Sequence, residues 1–159
     1  MHIHYSIAFF LIFCCSSIAQ ESKNKDYPIS KTEKEWKEIL APLAYHVLRE
    51  SGTERAFTSP LNKNYKKGIY VCVACNTPLY TSKRKYDSGS GWPSFDSAIE
   101  GRVGKDVDYK IGYARTELIC NTCGGHLGHS FQDGPIETTG ERHCINGVAL
   151  KFLSKDKNE

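Results

Sequence analysis

Seven cysteines punctuate this chain, and four of them fall in two C-x-x-C pairs, Cys72-Val73-Ala74-Cys75 and Cys120-Asn121-Thr122-Cys123. Two such pairs with a long intervening segment suit a tetrahedral zinc site. Four thiolates close its shell and leave no open position for substrate, so the metal is structural. Asn76 after the first pair and Gly124-Gly125 after the second supply the small turn residues that such knuckles need. The alternative is two disulfides, which an exported protein would allow; the doubled spacing favours the metal. His126 and His129 follow the second pair closely. Four cysteines already suffice for zinc, so both imidazoles are free for other work. The plainer reading makes them surface histidines of a glycine-rich turn.

Cys144 stands apart from both pairs, in Arg142-His143-Cys144-Ile145-Asn146-Gly147-Val148-Ala149-Leu150-Lys151-Phe152. Read as one strand, this run puts Arg142, Cys144 and Asn146 on one face, because side chains two apart point the same way. A guanidinium beside a thiol favours the thiolate, which is the nucleophile. An amide one pleat further can donate or accept a hydrogen bond. The same parity continues into Val148, Leu150 and Phe152, which look like core, and Gly147 could mark a bulge where the core opens to solvent. The competing reading is a buried structural cysteine, the commoner fate of a lone one.

These residues need elements to hold them. Thr32-Glu33-Lys34-Glu35 is a capping-box pattern, followed by Trp36, Ile39 and Leu40 at helical spacing. Pro42 interrupts the pattern and Leu43 to Glu50 resumes it, so one or two short helices open the domain with their apolar positions facing the core. After Gly52 the texture changes to short β-prone runs between turn residues: Ile69 to Val73, Asp108 to Arg115, Glu117 to Cys120, and His143 to Leu153. That pattern predicts a mainly β domain of two small packed antiparallel sheets. Ser88-Gly89-Ser90-Gly91-Trp92-Pro93-Ser94-Phe95 reads as a loop, yet it carries two aromatic residues.

The net charge of +3 is too mild for a strong nucleic-acid footprint, and none is expected. Met1 to Ala19 has a short apolar core, Ile7 to Cys15, and a small-x-small site at Ser17-Ile18-Ala19. It reads as a secretory signal peptide, too short to span a membrane, which places the protein in the periplasm or outside the cell. Lipid anchoring at Cys14 or Cys15, both within that segment, is the sharper alternative. Residues 20–31 read as a polar flexible lead-in, 32–154 as the domain, and 155–159 as a polar tail. The domain contains no internal repeat beyond the two cysteine pairs, and a monomer is the default expectation.

Taken together, the segments resemble the methionine sulfoxide reductase B family, enzymes acting on the R epimer of methionine sulfoxide. The resemblance is carried by Tyr45 to Phe57, the two C-x-x-C pairs, Ser88 to Phe95, His126 to Pro135, and Arg142 to Gly147. It implies a β-tent-like fold of two antiparallel sheets stapled by zinc, with Cys144 as nucleophile. It also implies that Trp92, His126, His129, Phe131, Arg142 and Asn146 line the substrate site. Trp92 and Phe131 would hold the methyl group on sulfur, while His126 or His129, with Asn146, would serve the oxygen. The expected partners are methionine sulfoxide in oxidised proteins and a thioredoxin-like or small-thiol reductant.

The chain departs from many members of that family in one respect. They carry a resolving cysteine, commonly in the stretch just before the G-W-P-S-F loop. Here no cysteine lies between Cys75 and Cys120, and Ser90 occupies the loop. The expectation is therefore a one-cysteine cycle, with Cys144 regenerated directly by an external thiol. The alternative function is a zinc-stapled β binding module without turnover, since zinc-held β folds serve both purposes.

Overall fold

The structure is a computed structural model that describes residues 26–155. The signal-peptide segment, Met1 to Ala19, lies outside the described residues.

Helix α1 spans Glu33–Ile39 and helix α2 spans Pro42–Glu50. Thr32 caps α1 with the reciprocal box: its hydroxyl accepts the Glu35 N–H, and the Glu35 carboxylate accepts the Thr32 N–H. Pro42 starts the second helix, where its missing N–H costs nothing, and Ser51 ends it in the left-handed conformation. The helices bury Trp36, Leu40, Ala44, Tyr45, Val47 and Leu48. Ile39 and Leu43, expected to face the core, flank the break between the helices and are about half exposed.

Among the described residues, nine strands form two antiparallel sheets. The small sheet has the order β2-β1-β9, from Pro78–Thr81, Gly68–Cys72 and Leu150–Ser154. The large sheet has the order β3-β4-β8-β7-β6-β5, from Lys85–Tyr86, Ser94–Phe95, Arg142–Ile145, His126–Phe131, Arg115–Cys120 and Val103–Asp108. Between them lies the apolar core. Phe95 sits at its centre, stacked on Tyr80 with ring centroids 4.2 Å apart and edge-on to Tyr70 at 5.1 Å. Such ring pairs add about 0.5–1.5 kcal/mol each beyond area burial.

Three sequence expectations change. Asp108 to Arg115, read as a strand, is the tip of the β5–β6 hairpin; pairing ends at Asp108↔Arg115. The run His143 to Leu153 is two strands in two different sheets, joined by a 3-10 turn over Gly147–Ala149. The turn forms because Glu54 accepts the Gly147 and Val148 N–H groups, which a continuous strand would have given to a ladder. The shared-face argument therefore cannot extend past Asn146. Third, Tyr27 to Ile29, assigned above to a flexible lead-in, lie against the second cysteine pair: the Ile29 N–H donates to the Thr122 carbonyl at 2.8 Å.

Candidate active site and metal centre

Each C-x-x-C pair closes a hairpin. The first joins β1 to β2, the second β6 to β7, and the two turns share one hydrogen-bond pattern. The Asn76 N–H donates to the Cys72 carbonyl and the Gly124 N–H to that of Cys120, both at 2.8 Å. Asn76 and Gly124 hold the left-handed conformation that each turn requires, with φ of 57° and 69°. Because one hairpin belongs to each sheet, the two pairs face each other across the junction of the sheets. All four sulfurs lie within 4.8 Å of one another, a cluster that could hold a metal ion. The Cys72–Cys123 and Cys75–Cys120 sulfurs stand 3.8 and 3.6 Å apart, far beyond a disulfide bond of about 2.05 Å. The disulfide alternative has no support in this geometry.

Cys144 lies at the middle of β8. Its cross-strand neighbours are Ser94 on β4 and His129 on β7, so all three side chains share a face. Beside them opens a cavity of about 130 Å³ lined by Thr53, Trp92, Arg115, Gly128, His129, Phe131, Cys144 and Asn146. Strand β7, a glycine-rich turn only in the plainer of the two sequence readings, is central to this site. Gly128 lets it approach β8 so closely that a Cβ there would stand 2.0 Å from the Cys144 carbonyl oxygen. A bulge between the Leu118↔Gly128 and Ile119↔His126 pairs makes Leu127 the extra residue. His126 and His129 are three apart and would face opposite ways on a regular strand. The bulge instead brings their rings to 5.2 Å.

His126 and His129 nevertheless differ. His129 lines the cavity, and its Nε2 bonds the Asp108 carboxylate at 2.8 Å. Asp108 also meets Arg115 at 2.5 Å and accepts the Lys110 N–H. The Lys110 N–H, followed by His129 and Arg115, holds the Asp108 carboxyl well below the usual carboxylate range. Burial outweighs Asp108 at His129 and pushes the imidazole below its ordinary value. His126 stands behind His129, outside the cavity lining, with Nδ1 2.5 Å from Glu117 and a buried Nε2 that has no hydrogen-bond partner.

Arg142 also stands outside the lining. Its guanidinium makes a two-pronged pair with Asp133, both bonds 2.8 Å, and lies 4.4 Å over the Phe131 ring. It thus fixes the wall residue Phe131 as well as placing charge near Cys144. That charge does not win: burial pushes the Cys144 thiol up, against smaller lowering contributions from Ser90 and Arg142. Arg142 does favour the thiolate, as the sequence suggested, and burial opposes it. Asn146 lines the cavity but spends its amide on the frame. Its Oδ1 accepts the Glu54 N–H and its Nδ2 donates to the Leu127 carbonyl.

Glu54, Asp108 and Arg115 were missed as site residues by sequence reasoning. Glu54 is 2 % exposed, and burial pushes its carboxyl up despite two backbone N–H donors. Its carbonyl accepts the Trp92 indole N–H at 3.1 Å, so one buried residue ties Trp92, Asn146 and the turn after β8 together. The quoted loop from Ser88 now has a plain role. Trp92 forms a cavity wall, Phe95 the core, and Ser90 Oγ lies 3.9 Å from the Cys144 sulfur, bonded in turn to Ser88 at 2.8 Å.

Thiol chemistry needs a cysteine that a substrate can reach, and Cys144 alone of the five described cysteines opens onto this cavity. The layout is that of a single-thiol enzyme on a β scaffold whose four other described cysteines could hold a metal. Residues 40–154 match the model of the SelR domain, and the chain belongs to that family. A protein of Leptospira interrogans serogroup Icterohaemorrhagiae serovar Lai is 52% identical over 128 residues, 80% of this chain and 97% of that protein. One from Burkholderia cenocepacia strain HI2424 is 45% identical over 143 residues, covering 89% of this chain and all of the relative. An archaeal relative, from Methanosarcina barkeri strain Fusaro, is 46% identical over 134 residues, 82% of this chain and 92% of its own. All three are named peptide methionine sulfoxide reductase MsrB.

Proposed function

We propose that this chain is a peptide-methionine (R)-sulfoxide reductase that uses Cys144 as its single redox thiol. The observation that carries the reading is the cavity itself, whose lining brings together Cys144, the aromatic Trp92 and Phe131, and His129 held from behind by Asp108. The methyl group on the sulfoxide sulfur packs against Trp92 and Phe131, and its oxygen faces His129. This division of contacts selects one epimer.

Cys144 sulfur attacks the sulfoxide sulfur while the oxygen gains a proton, delivered by His129 with Asp108 steadying the imidazolium as it forms. In sum, one thiol and one sulfoxide become one sulfenic acid and one thioether. The proton that leaves sulfur ends on oxygen, so the resting cysteine enters the cycle as a thiol, in accord with its raised pKa. Two external thiols then reduce the sulfenic acid, releasing water and a disulfide. The described residues offer no second thiol at Cys144, where the nearest side-chain partner is the Ser90 hydroxyl. A thioredoxin-like protein or a small thiol fills that role.

The four-cysteine cluster holds one zinc ion. A zinc–sulfur bond of about 2.3 Å gives a tetrahedron with edges near 3.8 Å, which the 3.6 and 3.8 Å sulfur contacts fit. The ion is structural: it clips the two sheets together and takes no part in the reaction. The working unit in this reading is a monomer. It is exported through Met1 to Ala19, with amino-terminal sequencing of the mature protein as the check. The function itself is tested with separated sulfoxide epimers of N-acetyl-methionine amide and dithiothreitol. Turnover of the R epimer alone is expected; turnover of neither, or of the S epimer, would overturn the reading.

A further inference from the structure

The cavity of about 130 Å³ is small. A cavity of roughly 150 Å³ holds one benzene molecule. The CH₂–S(O)–CH₃ end of a methionine sulfoxide side chain therefore fills this one, and the rest of a peptide substrate must lie outside its mouth. What surrounds the mouth decides which peptides bind.

One wall of the mouth is the β5–β6 hairpin. Its root residues belong to the site: Asp108 bonds His129, and Arg115 lines the cavity. Its tip carries Tyr109, Ile111 and Tyr113, which are 68%, 50% and 63% exposed. Three apolar side chains alternate here with polar or small residues, the period-2 pattern of a half-buried strand, and the fold leaves them in solvent. The tip is also held in place. Lys110 donates its ammonium to the Glu50 and Ser51 carbonyls at the end of α2, at 2.9 and 3.4 Å. That contact occupies the tip's one cationic side chain and keeps the apolar residues beside the segment leading to Thr53, another cavity residue. An exposed apolar cluster joined to a binding cavity marks an interaction surface.

We propose that the tip, through Tyr109, Ile111 and Tyr113, docks the apolar neighbours of methionine sulfoxide in an unfolded polypeptide. Methionines sit mostly among apolar residues in protein interiors. An oxidised chain that has lost its fold exposes the apolar side chains it had buried, and those that precede or follow a sulfoxide in sequence meet an apolar shelf beside the small cavity. The proposal rests on the reductase reading above and deepens it.

The test uses three R-sulfoxide substrates with dithiothreitol as reductant: N-acetyl-methionine sulfoxide amide, a decapeptide with leucine and tyrosine flanks, and one with glycine and serine flanks. The wild type should favour the apolar decapeptide over the other two. The triple variant Tyr109→Ser, Ile111→Ser, Tyr113→Ser should lose about tenfold in kcat/KM on that peptide, through KM, as removing a few surface apolar contacts predicts. It should stay within about twofold of wild type on the amide, which also reports that the variant is folded. Equal loss on all three substrates, or none on any, overturns the docking surface. A loss that appears only when a thioredoxin replaces dithiothreitol assigns the tip to the reductant and equally overturns it. Failure of the wild type on the amide would instead sink the reductase reading.

Discussion

Five described cysteines serve two regions of this molecule, and the contrast lies in their neighbours. At the sheet junction four sulfurs face one another, each pair held by a tight turn. At the middle of β8 one sulfur faces a serine hydroxyl, an imidazole strand neighbour and an open cavity. The first arrangement turns the thiols toward one another, where they could hold a metal; the second leaves one facing open space. A thiol becomes structural when its shell is closed and reactive when one side is open. Both outcomes depend on hairpins: β1–β2 and β6–β7 make the cluster, and the same β6–β7 pair presents His129.

That shared hairpin links the regions mechanically, and removing the metal should break both. Structural zinc contributes roughly 10–16 kcal/mol in small domains, as much as a whole domain's net stability of about 5–15 kcal/mol. Cys72→Ser, or exhaustive chelation, should release the zinc, abolish cooperative thermal unfolding and end turnover. A chelated protein that kept its melting transition and its activity would show that the sheets hold together without the clip. The converse change separates the regions. Cys144→Ser should bring sulfoxide reduction to background while zinc content and melting temperature stay at wild-type values. Retained turnover would remove Cys144 from the reaction; lost zinc would show that the dependence runs in both directions.

Asp108 sharpens the contrast one step further out. It orients His129 and pairs with Arg115, yet it does not line the cavity. Asp108→Asn should lower kcat by about 10²–10³-fold, within the range of a general acid's contribution, with little change in KM for the amide substrate. The asparagine keeps a hydrogen bond but not the charge that favours the imidazolium. An equal loss in KM and kcat would point to a collapsed cavity wall instead.

The difference between the regions also governs what the sequence revealed. The cluster was legible because C-x-x-C spacing dictates a local turn, and two such turns imply one another. Cys144 and its neighbours Ser94 and His129 come from three strands, and adjacency of that kind has no spacing to read. Strand β7 did not stand out among the β-prone runs because Gly128 and a bulge disguise it, although these features are what bring both histidines to one face. Asp108 to Arg115 was misread for the opposite reason: its alternation is real, but the face it makes is not buried. Glu54 left no signal, since a glutamate in a polar run looks the same whether it is solvated or holds two backbone N–H groups in the core.

The finest test concerns the charge state of the open thiol. Burial raises the Cys144 pKa, while Ser90 and Arg142 pull it down. Only the thiolate reacts with iodoacetamide, so the alkylation rate should climb about tenfold per pH unit below the pKa. For Cys144 the climb should continue through pH 9 without a plateau, because the raised value keeps the thiol protonated there. Ser90→Ala deletes one hydrogen bond that favours the thiolate. A bond of about 0.5–1.5 kcal/mol predicts a two- to tenfold slower rate at pH 7 and a curve displaced further to high pH. The zinc-bound cysteines should remain unlabelled throughout. A plateau below pH 8 would mean that Arg142 or His129 outweighs burial and that the enzyme rests as a thiolate. An unchanged curve for Ser90→Ala would mean that the 3.9 Å contact carries no hydrogen bond. The cluster would still be closed and Cys144 still open, but the cavity, rather than its hydroxyl neighbour, would then set the reactivity of the sulfur.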